Sequence, residues 1–471
     1  MKKIRNLIFA VLFLLICLTP LLGMPLYHAS ENTENRTLAS FPGITGKDGG
    51  VNLKFFEEFE AYFKDHFALR QELVCADAKI QGGLFRVSAA DNVVYGKDGW
   101  LFYRTTLGDY QGTNRMSERE MYALKENLEI VLGYLHERGI GLAVAVPPNK
   151  NTLYPEGMPY YDSMKVSEDH TLYHLPALMG EAGIPYADLC GAFRAEDEVL
   201  YLKRDSHWNQ KGAMLAFRTI WDSFAFSRPA YGADESVLPT RNKDTVGDLS
   251  RMLYTVYGEK EWNYTYDIAP RYTYVTSTKS VEDAWIETEA EGTGGRFLCF
   301  RDSFGNTLLP HLANQFGHAY FTKEAPYRLD RLVKECTPDL VLFEKVERNL
   351  RDFITVPPIL PAPEIEKPEI TEIRMVACEL KASYNLFDPT FLQVSGTLPK
   401  GEVRDDTRIC LEAGGRCYQA YLTGENGFML YLDWEELNLP EEGIQVRILS
   451  ESADGCRLSA EMILREGETE R

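Results

Sequence analysis

No two cysteines of this chain form a Cys-x-x-Cys pair, and its nine cysteines are scattered through 471 residues. That scatter excludes a small disulfide-stapled scaffold and a zinc ribbon, both of which need clustered thiols. A His-Glu-x-x-His pattern is also missing. His170 and His174 stand at i and i+4, but no glutamate or nearby cysteine completes a zinc site, so no metal is expected. Positive charge is scarce as well: 50 lysines and arginines face 70 aspartates and glutamates, for a formal net charge of -20. Such a balance argues against a broad nucleic-acid surface, because phosphates would be repelled, while leaving room for a local basic groove. There is no internal repeat, no low-complexity tract and, past the N-terminus, no apolar run long enough to cross a bilayer.

The N-terminus differs from the rest. Lys2, Lys3 and Arg5 precede an apolar run from Leu7 to Leu18 that continues to Leu26, longer than a signal-peptide core and without a clear small-x-small cleavage site before Ser30. Residues 1–30 are therefore expected to be an uncleaved signal anchor, with everything after Tyr27 outside the cytoplasm. Cys17 has no small residue before it and does not read as a lipoprotein cysteine.

Beyond the anchor, apolar periodicity predicts a helix over Phe55–Val74 and a hairpin over Val93–Tyr103 turning at Asp98-Gly99. A long helix from Glu118 to Gly139 then feeds a buried strand, Gly141–Val146. Leu172–Ala182 is helical and Tyr186–Leu189 a strand; Val199–Leu202 is expected as a strand and Asn209–Phe224 as a helix. Phe297–Phe300 followed by Phe304–Phe316, and Leu329–Glu335 followed by Asp339–Glu344, continue the alternation. Such alternation implies an α/β fold with a doubly wound parallel sheet. Between about 225 and 295 it weakens into a tyrosine- and threonine-rich insertion. Residues 356–368 form a proline-rich linker, and 369–471 alternate at period two as a β-sandwich. Within that sandwich Cys410 and Cys417 are either one disulfide across a hairpin at Ala413-Gly414 or two free, half-buried thiols.

Chemistry concentrates at two strand-to-helix junctions, Asp205-Ser206-His207-Trp208-Asn209 and Arg301-Asp302-Ser303-Phe304-Gly305-Asn306. A serine needs a base within hydrogen-bond reach and a third group to orient that base. Ser303 offers the hydroxyl, His207 the imidazole, and Asp205, one residue removed, a carboxylate able to hold one ring nitrogen while the other faces a distant hydroxyl. Taken alone, each is also an ordinary helix-capping residue or a partly buried histidine. The remaining histidines are poorer bases: His66 and Asp65 diverge on one helix, and His311 reads as a surface group.

Ordered blocks from 31 to 350 add a further signal. They are Glu34-Asn35-Arg36-x-Leu38-x-x-Phe41-Pro42, Tyr62-Phe63-x-Asp65-His66-Phe67-x-x-Arg70, Gly96-x-Asp98-Gly99-Trp100-Leu101-Phe102, Pro147-Pro148-x-Lys150-x-x-x-Tyr154-Pro155, the two junctions, and Glu344-x-x-Glu347-Arg348. In that order they resemble the alginate O-acetylation proteins of the AlgX and AlgJ type and their DHHW relatives, all SGNH-hydrolase-like. Ser206 stands where the DHHW name has a second histidine. The resemblance implies an SGNH-hydrolase-like catalytic domain over 31–355 with Ser303 as nucleophile, His207 as base and Asp205 orienting it. It also implies O-acetylation of an exported polysaccharide without a bound cofactor, the acetyl group being delivered by an MBOAT-type membrane partner, and a carbohydrate-binding role for the sandwich. Acetylesterase activity and a non-catalytic assembly role remain open alternatives. For the oxyanion, the backbone amide of Ser303 or Phe304 is expected, with Asn149 or Lys150 as side-chain help.

Overall fold

Five parallel strands carry the candidate site, and their alternating side chains explain why both faces of the sheet are covered. In the computed structural model, which describes residues 2–24, 39–46, 49–224, 230–233, 236–254, 258–433, 435 and 443–464, the strands of this sheet are β1 (Gly141–Ala145), β2 (Tyr186–Ala187), β3 (Tyr272–Tyr274), β4 (Trp285–Ala290), β5 (Arg296–Phe300), β6 (His318–Thr322) and β7 (Leu340–Glu344). Their order is β2-β1-β7-β5-β6-β4-β3. The first five neighbours run parallel, and β4 and β3 close the far edge antiparallel. Glu34, Asn35, Arg36 and Leu38 of the first quoted block lie outside the described residues, as do residues 25–38 of the expected anchor and stalk.

Period-two alternation sorts the core into two layers. Leu142, Val144, Leu298, Phe300, Val341 and Phe343 point to the side covered by helices Glu118–His136 and Leu329–Cys336. Ala143, Ala145, Phe297, Cys299, Leu340 and Leu342 point to the side covered by helices Gln210–Ser223 and Gly305–Ala313. The small alanines of β1 let the helix Gln210–Ser223 approach, with Phe217 and Ile220 fully buried against them.

Several local expectations are corrected. Val199–Leu202 does not join the sheet. Only an isolated bridge, Tyr201 to Trp208, forms there, because the backbone groups of Leu200 and Leu202 bond to Asn209 and His207 of the following turn. The run is apolar because Leu200, Tyr201 and Leu202 are buried as a packed loop. The helix expected over Phe55–Val74 is two helices, Phe55–His66 and Arg70–Ile80, separated at Leu69, whose φ is 60°. His311 is not a surface group: it is half-buried and stacked on Phe217 at 5.4 Å. The thiols of Cys410 and Cys417 are free and buried.

The C-terminal strands form a six-stranded and a four-stranded sheet. Phe391, Val394 and Phe428 of this sandwich join the same apolar cluster as β1, β5 and β7. The proline-rich segment is packed rather than free: Ile359 and Leu360 are fully buried, and the Ala362 N–H donates to the Tyr431 carbonyl at 2.8 Å. Asn127, on helix Glu118–His136, bonds the seam directly. Its side chain donates to the carbonyls of Phe353 and Leu422 and accepts from the Leu422 N–H, all at 2.8–2.9 Å. At the N-terminus a helix spans Lys2–Gly23 with Leu7, Ile8, Phe9 and Ile16 exposed. Among the described residues no helix is long and apolar enough to cross a membrane.

Candidate active site

Ser303 lies between the end of β5 and the helix Gly305–Ala313, which begins where the apolar run of the strand gives way to Gly305 and Asn306. A Cβ on Gly305 would stand 2.7 Å from Cβ of Arg301 and 2.8 Å from a Glu344 oxygen, so only glycine allows so tight a turn. The preceding Asp302 ties that turn down. Its carboxylate accepts from the Phe304 N–H and the Val346 N–H, both at 2.8 Å, and its own N–H donates to Glu344 at 2.9 Å. Arg301, 2% exposed, donates to the Val281 and Asp283 carbonyls at 2.9 and 3.1 Å and to Asn306.

The other junction is shaped by its own residues. Asn209 caps the helix Gln210–Ser223 by accepting from the Gly212 N–H at 3.0 Å. The Trp208 indole N–H donates to Thr307 at 2.6 Å, and its ring meets Phe304 edge-on at 4.9 Å. These two contacts dock the Asp205–Asn209 turn onto the helix that follows Ser303. His207 then reaches Ser303, with Nε2 2.8 Å from Oγ, and its Nδ1 lies 2.7 Å from Oδ1 of Asp205. With the ring proton on Nδ1 donated to Asp205, Nε2 is free to accept from the serine hydroxyl.

Electrostatics follow from burial and pairing. Burial works against charge on His207, but the hydrogen bond and charge of Asp205, aided by Asp248, outweigh it and leave its pKa above the usual histidine value. Asp205 is likewise buried, yet His207 and backbone N–H donors hold it down to about 2. The site opens into a groove of about 640 Å³ lined by Asp205, His207, Ser303, Asn306, Tyr264 and Tyr266 among others.

Residues 93–291 match the family model described as "SGNH hydrolase-like domain, acetyltransferase AlgX". Over those residues the chain is similar to an AlgX-type SGNH hydrolase-like domain. The match includes Asp205 and His207 and stops before Ser303. Among curated proteins, the "Probable alginate O-acetylase AlgJ" of Pseudomonas aeruginosa is 31% identical over 184 residues, covering 38% of this chain and 44% of that protein. The like-named protein of Pseudomonas syringae pv. tomato is 28% identical over 209 residues, covering 43% and 51%. The chain thus spans about half the length of the curated relatives it matches. Among solved structures, Bacillus cereus PatB1 with a sulfonyl adduct aligns with a TM-score of 0.41 at 19% identity, over 54% of this chain and 93% of that one.

The side chains of the three expected residues Asp205, His207 and Ser303 meet, whereas those of Asn149 and Lys150 are bonded to other groups. The Phe304 N–H is occupied by Asp302. The Asn149 side chain donates to Asp109 at 2.9 Å, and its N–H to Glu347 at 2.7 Å. Lys150 is buried beneath the Asp205 turn, where its ammonium donates to the carbonyls of Leu202, Lys203 and Asp205. Burial lowers its pKa to about 8. The Pro-Pro-x-Lys block therefore supports the turn rather than the oxyanion. Among the named candidates, the Ser303 N–H is the amide without a partner.

Asp248 was not singled out by the sequence. It lies in the tyrosine-rich insertion, at the start of helix Asp248–Leu253, accepts from the Ser206 N–H at 2.7 Å and from its hydroxyl at 2.5 Å, and stands 3.7 Å from Nδ1 of His207. Gly247 permits the approach, since a Cβ there would lie 2.1 Å from the Arg204 carbonyl oxygen. Asp205, His207 and Asp248 offer ligand atoms within 4.8 Å of one another. Those atoms are engaged in the hydrogen bonds just described, which is the arrangement of an oriented imidazole. His170 and His174 do not converge: His174 pairs with Asp169 at 2.7 Å, and His170 faces Glu347 at 3.9 Å.

Proposed function

We propose that this protein transfers acetyl groups onto hydroxyls of an exported polysaccharide through a covalent acyl-Ser303. The observation that carries the reading is the unbroken contact from Asp205 through His207 to Ser303, 2.7 and 2.8 Å long, at the floor of an open groove. Similarity to the AlgJ proteins, named alginate O-acetylases, supports acetyl transfer.

In this reading Oγ of Ser303 attacks the acyl carbonyl as Nε2 of His207 takes its proton, and Asp205 stabilises the imidazolium. The N–H of Ser303 and the helix N-terminus behind it face the developing oxyanion. Collapse expels the donor's leaving group, which takes the proton from His207. A sugar hydroxyl then gives its proton to His207 and attacks the acyl carbon; as the bond from that carbon to Oγ breaks, His207 returns the proton to Ser303, leaving the sugar ester. No bound cofactor is required. The acetyl group would arrive from an MBOAT-type membrane partner, with residues 1–30 holding the domain beside it. The exposed apolar side chains of helix Lys2–Gly23 support that attachment.

The test is incubation of the protein with an aryl acetate, with and without an oligosaccharide acceptor. Acetyl on Ser303 by peptide mass spectrometry and acetylated sugar, both lost in Ser303→Ala, are the expected outcome. Acetate release unaffected by acceptor would reassign the protein as an esterase, and neither product would leave only an assembly role.

A further inference from the structure

The groove in front of Ser303 has a chemical character of its own. One wall is the insertion, which presents the half-buried Tyr264, Tyr266 and Tyr272. The amides Gln210, Asn263, Asn306 and Asn314 also line the groove. Asn263 uses its side-chain oxygen to accept from the Gln210 and Tyr264 N–H groups, and Asn314 uses its own to accept from Arg271. Their NH₂ groups remain as neutral donors.

Cationic groups are missing. Among the described residues none of those lining the groove is a lysine or arginine, while Asp205 and Glu282 both line it. Of the nearby cations outside the lining, Lys323 pairs with Glu282 at 2.9 Å, Lys211 pairs with Glu198 at 2.7 Å and lies over the Tyr264 ring at 4.6 Å, Arg241 lies over the Trp262 ring at 4.6 Å, and Arg348 over the Phe304 ring at 5.8 Å. Arg218 is near enough to His311 to disfavour its protonation, but is not part of the lining. His311 is neutral, since burial pushes its pKa down to about 4.

A chain of uronic acids laid in this groove would carry a carboxylate on every residue past Asp205 and Glu282, with no lysine or arginine in the lining to pair it, on a protein whose formal net charge is -20. Desolvating carboxylates without partners is costly, and neutral amide donors do not offset like-charge repulsion. Pyranose rings without charge suit the same walls: their C–H faces stack on tyrosines and their hydroxyls accept from amides. We infer that the acceptor bound in this groove is an uncharged glycan and not a polyuronate. The inference rests on the acetyl-transfer reading for its purpose, but the groove's preference is measurable without catalysis.

Calorimetry on the full protein without acyl donor would compare neutral oligosaccharides of β-linked glucose, mannose and N-acetylglucosamine with oligomannuronate and oligogalacturonate of equal length, at low and high salt. At least one neutral oligomer is expected to bind independently of salt, and both uronates at least about tenfold more weakly, improving as salt screens repulsion. Tyr266→Ala should weaken the neutral ligand about tenfold and Tyr266→Phe should retain it, while Glu282→Lys should bring uronate binding up. Uronate binding as tight as the best neutral ligand overturns the inference. So does a panel in which no neutral oligomer binds, or neutral binding indifferent to Tyr266→Ala. Neutral binding intact with no acetyl on Ser303 instead defeats the transfer reading and leaves the groove's preference standing.

Discussion

The backbone N–H of Asp248 donates to Oδ2 of Asp205 at 2.9 Å. The outer oxygen of the carboxylate that orients His207 is therefore held by the insertion and not by the sheet. Its inner oxygen, Oδ1, accepts both the ring N–H and the backbone N–H of His207, at 2.7 and 2.9 Å. Both lone-pair sides are thus satisfied, which fixes the carboxylate plane and with it the imidazole.

Asp248→Asn should act on this arrangement without touching substrate. The Asp248 charge raises the pKa of His207, so its removal moves the rising limb of the pH–rate profile to lower pH. We expect roughly a tenfold loss in kcat with KM unchanged, because the amide still accepts from Ser206. A KM change without a shifted limb would contradict the positioning role.

The pH dependence of the parent protein has a definite sign. His207 acts as base only when neutral and its pKa is raised, so the rate of aryl acetate hydrolysis climbs with pH to a plateau whose midpoint lies above the ordinary histidine value. In Asp205→Asn the hydrogen bond and charge that do most to raise it are lost, leaving Asp248 alone against burial. The midpoint then moves down while the plateau rate falls by ~10⁴-fold, as expected when an imidazole loses its orienting carboxylate. For stability the Asp205 contribution is present above the unfolded carboxylate pKa and lost as pH falls toward about 2. Acid titration monitored by circular dichroism should show this component missing in the variant.

Lys150→Met keeps length and removes the donors under the turn. Three carbonyls lose a partner, that of Leu202 in the interior and those of Lys203 and Asp205 nearer the surface. A buried unpaired group costs about 1–3 kcal/mol, so thermal denaturation should report a loss of stability in that range. Activity should fall along with it, since the turn that carries Asp205 and His207 is no longer anchored.

Asn127→Ala tests the seam between the α/β layer and the sandwich. Asn127 is 1% exposed and satisfies three backbone groups across two segments. We expect a loss of about 2–4 kcal/mol and, by limited proteolysis, faster cleavage within 356–368. Unchanged proteolysis with lowered Tm would mean that the two parts unfold as one unit.

Much of the site was legible because its logic is local. Asp205 and His207 are separated by one residue, and Ser303 follows an apolar run that forms a strand anywhere it is buried. The same locality misled at Val199–Leu202, where four apolar residues serve a packed loop, and at His311, whose burial depends on the Phe217 ring of another helix. Lys150, expected as side-chain help for the oxyanion, lies under the turn instead, because a side chain's direction is set by what packs around it.

The amino-acid sequence alone determined the residue types of the triad, the strand and helix that flank Ser303, and the separate C-terminal β layer, because periodicity and turn chemistry act over a few neighbouring residues. Tertiary structure decided the rest: that His207 meets Ser303 across 96 positions at 2.8 Å, that Asp248 completes the turn from a distant insertion, and that the groove has no cationic lining among its described residues. Those relations depend on which elements pack side by side. Packing is a property of the whole core, so no short segment encodes it.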